Sequence, residues 1–308
     1  MKIIGIVIAV FVLLALLLLV YLSKKQAVPD EYWTKIDSES YVENKYNAIG
    51  PYSVTTKKYD APQDENDSAD NFYEIWYPEE TGVYPLVVMV NGTGVPCDKY
   101  KAVFEHIASY GYAVIGNNYG TNWNGLHASE TLQFALDTEE IASMIDETKI
   151  AIGGHSQGGM GTFNAITEYE NGTEYKAAFA LSPTNDDLAL SLQWGFDLGT
   201  DKEYAFRLDQ IDIPVMIAAG TGKFDSETVS PLDKMQEEYD SLTADKVVFR
   251  RGDDVDHADM LYEANGYLIA WLDYYLKDVQ ENESVFYGER PEIMGNSRYQ
   301  DFRSYKAE

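Results

Sequence analysis

The sequence holds a single cysteine, Cys97, so no disulfide can form within the chain and the redox compartment cannot be read from it. Cations are scarce: 23 lysines and arginines stand against 51 aspartates and glutamates, a formal net charge of −28. That balance argues against nucleic acid and anionic lipid surfaces as partners and leaves catalysis open. Histidine is rarer still, with four residues, His106, His127, His155 and His257. No cysteine cluster or His-x-Glu arrangement offers a zinc site, so metallohydrolases drop out, and no metal or organic cofactor is expected. What remains is a chain of 308 residues and 45% hydrophobic content, enough for one α/β domain of about 250 residues with an extension.

Long apolar runs are also few, and the one long enough to cross a bilayer is Ile3 to Leu22, 20 uncharged residues between Lys2 and Lys24-Lys25. No small-x-small cleavage site and no cysteine for a lipid anchor accompany it. The expectation is an uncleaved membrane anchor over residues 1–25, a tether or short packing arm over 26–47, and a catalytic domain over 48–308. Orientation has two readings. The extra lysines after the helix favour a cytoplasmic domain, whereas short N-terminal anchors commonly export the domain behind them, and an outward-facing domain at the cell envelope is the expectation.

From Tyr52 the pattern changes. Tyr52 to Tyr59 and Phe72 to Tyr77 alternate as half-exposed strands do, around an acidic link at 60–70 that lacks the glycine and closing glutamate of a calcium loop. Pro85 to Val90 is a continuous apolar run, as in a strand covered on both faces. A helix near Lys99 to Tyr110, a strand at Ala113 to Gly116, a helix near Ser129 to Ile145 and a strand at Ile150 come next. Beyond these lie strands at Ala177 to Leu181, Ile213 to Ala219 and Lys246 to Arg250, and a last amphipathic helix through Met260, Ala264, Leu268, Trp271 and Tyr275. Strands and helices alternating at short spacing predict a mostly parallel sheet with helices on both faces. Ser182 to Gln210 reads as an irregular link with room for only a small lid, its Trp194 a candidate lining of an open groove, and the tail after Lys277 reads as polar with no further domain.

The stretch Ile150 to Gly159 organises the rest. Gly154-x-Ser156-x-Gly158 between a β-branched run and a helix start is a nucleophile elbow, in which the flanking glycines let the backbone turn sharply enough to raise the serine hydroxyl above a sheet edge. Gly154-His155-Ser156-Gln157-Gly158-Gly159 resembles the elbow of the α/β-hydrolase superfamily, in its branch of bacterial cutinase-like, polyester-hydrolase-like and chlorophyllase-like serine esterases. The likeness runs from about Gly50 to Leu276. It implies an α/β-hydrolase fold and an oxyanion-hole N–H from the loop Asn91-Gly92-Thr93-Gly94, by motif match Thr93, with Gly94 as the other candidate. Gln157, the residue after the nucleophile, donates the second N–H. Asn91-Gly92 departs from that branch's usual His-Gly or Pro-Gly start.

A serine hydroxyl needs a base that titrates near neutral pH, which only histidine provides. His257 alone comes after the elbow, since His155 lies inside it and His106 and His127 precede it. The resemblance places the triad acid in the loop after the Ile213 strand, where Asp225 fits; Asp186, Asp187, Asp253, Asp254 and Asp256 are its rivals. The expected chemistry is hydrolysis of an acyl ester, lipid or polyester through an acyl-enzyme on Ser156. A peptidase or acyltransferase using the same triad, or a non-catalytic hydrolase-like binding module at the envelope, are the alternatives.

Overall fold

The computed structural model describes residues 27–63, 70–196 and 206–307, without the side chains of 192–196. The expected anchor over residues 1–25 lies outside them. Among the described residues no helix is long and apolar enough to cross a membrane.

Why the central strands form is visible in their burial. In β3 (Tyr84–Val90) every residue is buried, and the side chains part by alternation: Val87 and Met89 join one core, Leu86, Val88 and Val90 the other. The same division runs through β4 (Ala113–Asn117), β5 (Ile145–His155), β6 (Tyr175–Leu181), β7 (Val215–Gly220) and β8 (Lys246–Arg251). One core is closed by α2 (Lys101–Ser109) and α7 (Asn265–Lys277), the other by α3 (Leu126–Asp137), α4 (Gln157–Glu168) and α6 (Leu232–Ser241). The result is a mixed, mostly parallel sheet with helices on both faces. With β1 (Val54–Asp60), β2 (Phe72–Pro78) and β9 (Tyr299–Tyr305), the order among the described residues is β1-β2-β4-β3-β5-β6-β7-β8-β9. Strands β4 through β8 run parallel, and β1, β2 and β9 pair antiparallel at the two edges.

Three expectations need correction. The helix expected to reach Ile145 ends at Asp137, where Thr138 turns extended (φ −87°, ψ 104°); a short helix, Glu139–Ala142, intervenes and Ile145 already begins β5. The link after β6 is not wholly irregular: it carries α5 (Asp186–Phe196), begun by Asn185, whose side chain accepts from the Leu188 N–H at 3.0 Å and so caps it. Residues 197–205 of the link, where the rest of the expected small lid falls, lie outside the described residues, and the link ends in a 3-10 turn at Leu208–Gln210. The polar tail supplies one more strand, β9, whose residues from Asp301 alternate between fuller and lesser exposure, as suits an edge.

The described residues before β1, from Ala27 on, are packed against the domain, with Val28, Tyr32 and Tyr46 buried. In α1 (Tyr41–Asn47), Ser40 caps the helix by accepting from the Glu43 N–H at 2.9 Å, and Glu43 itself is wholly buried. Its carboxylate takes hydrogen bonds from Arg298 and Tyr299 on one oxygen and Asn296 on the other. Arm and tail therefore meet beside β8.

Candidate active site

The elbow has the geometry its glycines permit. Strand β5 ends at His155, α4 begins at Gln157, and Ser156 between them has φ 59°, ψ −125°, a conformation costing a non-glycine residue about 1–3 kcal/mol. Gly158 is required by contact: a Cβ there would stand 2.1 Å from the Val90 carbonyl oxygen. His155 and Gln157 are buried while Ser156 is partly exposed, so the turn presents the serine alone.

Asp225 comes after β7 and is completely buried. Its Oδ1 accepts from His257 Nδ1 at 2.5 Å, so that nitrogen carries the proton and Nε2 is left with its lone pair. Its Oδ2 is taken by the Ser182 hydroxyl at 2.5 Å and the Gly220 N–H at 2.8 Å. Ser182 sits just past β6 at φ 43° and is fully buried. The rival carboxylates are engaged elsewhere: Asp186 and Asp187 with Lys234 at 3.5 and 2.7 Å, Asp253 with Arg251 at 3.3 Å. Asp254 and Asp256 are exposed.

The acid and base loops are laced together. The Thr221 hydroxyl donates to the Arg251 carbonyl and accepts from the Asp254 N–H, both at 3.1 Å, and the Gly222 N–H donates to the Val255 carbonyl at 2.9 Å. The Phe224 ring stands edge-on to His257, centroids 5.2 Å apart, with 54% of the residue exposed. His257 also meets His155, ring centroids 4.3 Å apart. The remaining histidines lie elsewhere: His106 is buried between the Tyr32 hydroxyl and the Ala48 carbonyl, and His127 stacks on Tyr119.

Asn91 has a structural explanation. Its Nδ2 donates to the backbone carbonyl and side-chain oxygen of Asn117 at 2.5 and 3.0 Å, while the Gly92 N–H donates to the Tyr100 hydroxyl at 2.7 Å. The Val95 N–H closes back on the Gly92 carbonyl at 3.2 Å, which leaves Thr93 and Gly94 exposed at the tip of the turn. Gln157 opens α4, where a first-turn N–H has no partner within the helix. Its side chain spans to the loop after β4, donating to the Gly120 carbonyl and accepting from the Asn122 N–H. Trp194 falls in α5, and its side chain lies outside the described residues.

Sequence reasoning missed Ser182. Its signal, a serine directly after a buried strand, is common in any α/β chain; only the fold brings it across to Asp225.

A family model described as Chlorophyllase matches residues 42–285, a span that includes Ser156, Ser182, Asp225 and His257. Over 167 residues the chain is 25% identical to Chlorophyllase type 0 of Chenopodium album, covering 48% of this chain and 42% of that protein. Over 143 residues it is 29% identical to Cutinase 2 of Thermobifida cellulosilytica, covering 44% and 52%. Over 103 residues it is 26% identical to Chlorophyllase-1, chloroplastic of Citrus unshiu, covering 30% and 31%. The chain thus spans about half, or less, of the length of these curated relatives.

The buried groups yield two predictions. Ser182→Ala removes a donor from a buried carboxylate and should cost about 1.5–3 kcal/mol of stability; a urea midpoint equal to the unsubstituted protein's would show that the contact contributes nothing. Burial, with the His257 charge second, holds the His155 imidazole down at about 3, whereas an unfolded histidine takes its proton near 6.5. Between those values the unfolded chain binds more protons, so stability falls as pH drops through the window. Going from pH 6.5 to 5 should cost about 2 kcal/mol more in the native sequence than in His155→Gln; urea titrations of both proteins at the two pH values measure the difference, and equal losses count against it.

Proposed function

The chain belongs to the chlorophyllase family, and we propose that it is a serine-dependent hydrolase of carboxylic esters, acting on acyl ester, lipid or polyester substrates. The observation that carries this reading is the buried Asp225 carboxylate hydrogen-bonded to His257 Nδ1 at 2.5 Å, with its other oxygen held in place, in a fold whose elbow presents Ser156. The imidazole is thereby fixed in the tautomer whose Nε2 can accept a proton.

In this reading Ser156 Oγ bonds to the ester carbonyl carbon as its proton passes to His257 Nε2. The backbone N–H groups of Thr93 and Gln157 take the charge that develops on the carbonyl oxygen. The carbon–oxygen bond to the alcohol breaks, His257 hands its proton to the departing alkoxide, and the acyl group stays on Ser156. Water, deprotonated by the same histidine, then releases the carboxylic acid and restores the serine. Asp225 stays ionised throughout and stabilises the imidazolium. The low but repeated likeness to proteins named chlorophyllase and cutinase supports an ester as substrate.

Full-length protein in detergent should hydrolyse a nitrophenyl ester series, and Ser156→Ala should lose at least about a thousandfold in rate. A native protein that folds, turns over no ester and takes no fluorophosphonate on Ser156 would instead be a hydrolase-like binding module. We also propose that residues 1–25 anchor the domain on the outer side of a membrane, from their uncharged run between lysines. The full chain should stay with membranes through a high-salt, alkaline wash and be open to protease added to intact cells; release by the wash, or protection from the protease, counts against the anchor or its orientation.

A further inference from the structure

His155 is spent on neither nucleophilic attack nor proton transfer in this mechanism, yet it touches three parts of the machinery. It is covalently joined to Ser156. Its Nε2 lies 2.8 Å from the backbone carbonyl oxygen of His257, an acceptor only, so Nε2 carries the proton and donates it there. Its ring packs against the His257 ring, with centroids 4.3 Å apart and planes inclined at 42°. Its other edge faces the oxyanion loop: Gly92 comes so near that a Cβ on it would be 3.3 Å from both His155 Nδ1 and the His155 carbonyl oxygen. The residue is 5% exposed, and Nδ1 is buried with no hydrogen-bond partner among the described residues. A buried acceptor left unpaired costs roughly 1–3 kcal/mol, so an apolar side chain at this position would suit packing better.

We propose that His155 is a positioning residue for His257, its Nε2–H fixing the backbone of the base at a set distance from the serine next to it. This rests on the ester-hydrolase reading of the site. His257 opens the short 3-10 turn His257–Asp259, and its Nδ1–Asp225 bond fixes the direction of the ring, whereas the backbone of that residue is held by neither partner of that bond. The His155 bond holds the same residue at its carbonyl, a second point. Two points on one residue, one from β7 and one from β5, define where Nε2 points.

Side-chain lengths make the test specific. Glutamine places an amide N–H close to where histidine places Nε2–H, asparagine reaches only as far as Nδ1, and leucine fills the space with no donor. His155→Leu and His155→Asn should lower kcat on a nitrophenyl ester by about tenfold to a hundredfold with KM within about threefold, and His155→Gln should recover most of that loss. Thermal midpoints are measured alongside, because a packing role would make the rate follow stability instead of the donor. A second readout needs no turnover: the downfield proton resonance of the His257 Nδ1–H shared with Asp225 should persist in the glutamine variant and broaden or vanish in the leucine and asparagine variants. Leucine matching the native rate and resonance overturns the proposal. If the native protein hydrolyses no ester, the reading of the site fails, and the resonance still decides whether His155 holds His257.

Discussion

The buried carboxylate of Asp225 is the constraint around which the site is built. An ionised carboxylate with no exposure is costly unless its lone pairs are met, and three donors meet them: His257, the Ser182 hydroxyl and the Gly220 N–H. These come from three consecutive strand ends, β8, β6 and β7, so the carboxylate ties together the rim of the sheet at which Ser156 is presented. The arrangement also settles direction. With Oδ2 occupied by two donors from behind, Oδ1 is left to the imidazole, and the ring has one orientation in which Nδ1–H reaches it.

Two serines at positive φ stand at the ends of neighbouring strands, Ser156 after β5 and Ser182 after β6. Their backbones are joined: the Ser156 N–H donates to the Leu181 carbonyl at 3.0 Å and the Thr184 N–H to the Ser156 carbonyl at 3.2 Å. Strain of this size persists only where the surroundings determine it. Those surroundings are two parallel strands with buried residues on both faces, and the close contact of Gly158 with Val90 on the third. One turn raises a hydroxyl into the open and the other drives one inward to the carboxylate, so the same kind of distortion yields a presented group and a holding group.

Legibility in the sequence tracks the range of the interactions. The elbow and the buried strands are local patterns, a few residues of glycine and β-branched side chains, and they place Ser156 and the parallel sheet directly. The partnership of Asp225 with His257 spans 32 residues and is approached only through chain order; that of Ser182 with Asp225 spans 43 and that of His155 with His257 spans 102, and neither leaves a pattern in the sequence. Asn91 reads as a turn residue until Asn117, 26 residues on, is found accepting from it. Strand β9 is illegible for another reason: an edge strand with one face in water shows weak alternation, and its acidic and basic residues read as tail.

Charge extends the hold on His257 beyond the sheet rim. Arg251, the last residue of β8, pairs with Asp253 at 3.3 Å and with Glu263 at 3.1 Å, so it grips both ends of the stretch 252–263 in which His257 lies, and it donates to the Arg298 carbonyl at 2.8 Å. Glu263 pairs in turn with Arg298 at 2.7 Å, and Arg298 with the buried Glu43 at 2.8 Å. Arginine suits this chain because its planar fork serves several acceptors at once and keeps its charge when buried. Breaking such a chain at one member leaves a buried charge without its partner, a larger loss than the pair itself contributes. The alternation of sign from Arg251 to Glu43 therefore makes the arm before β1 and the strand after the last long helix depend on each other, and both bear on the loop that carries the histidine.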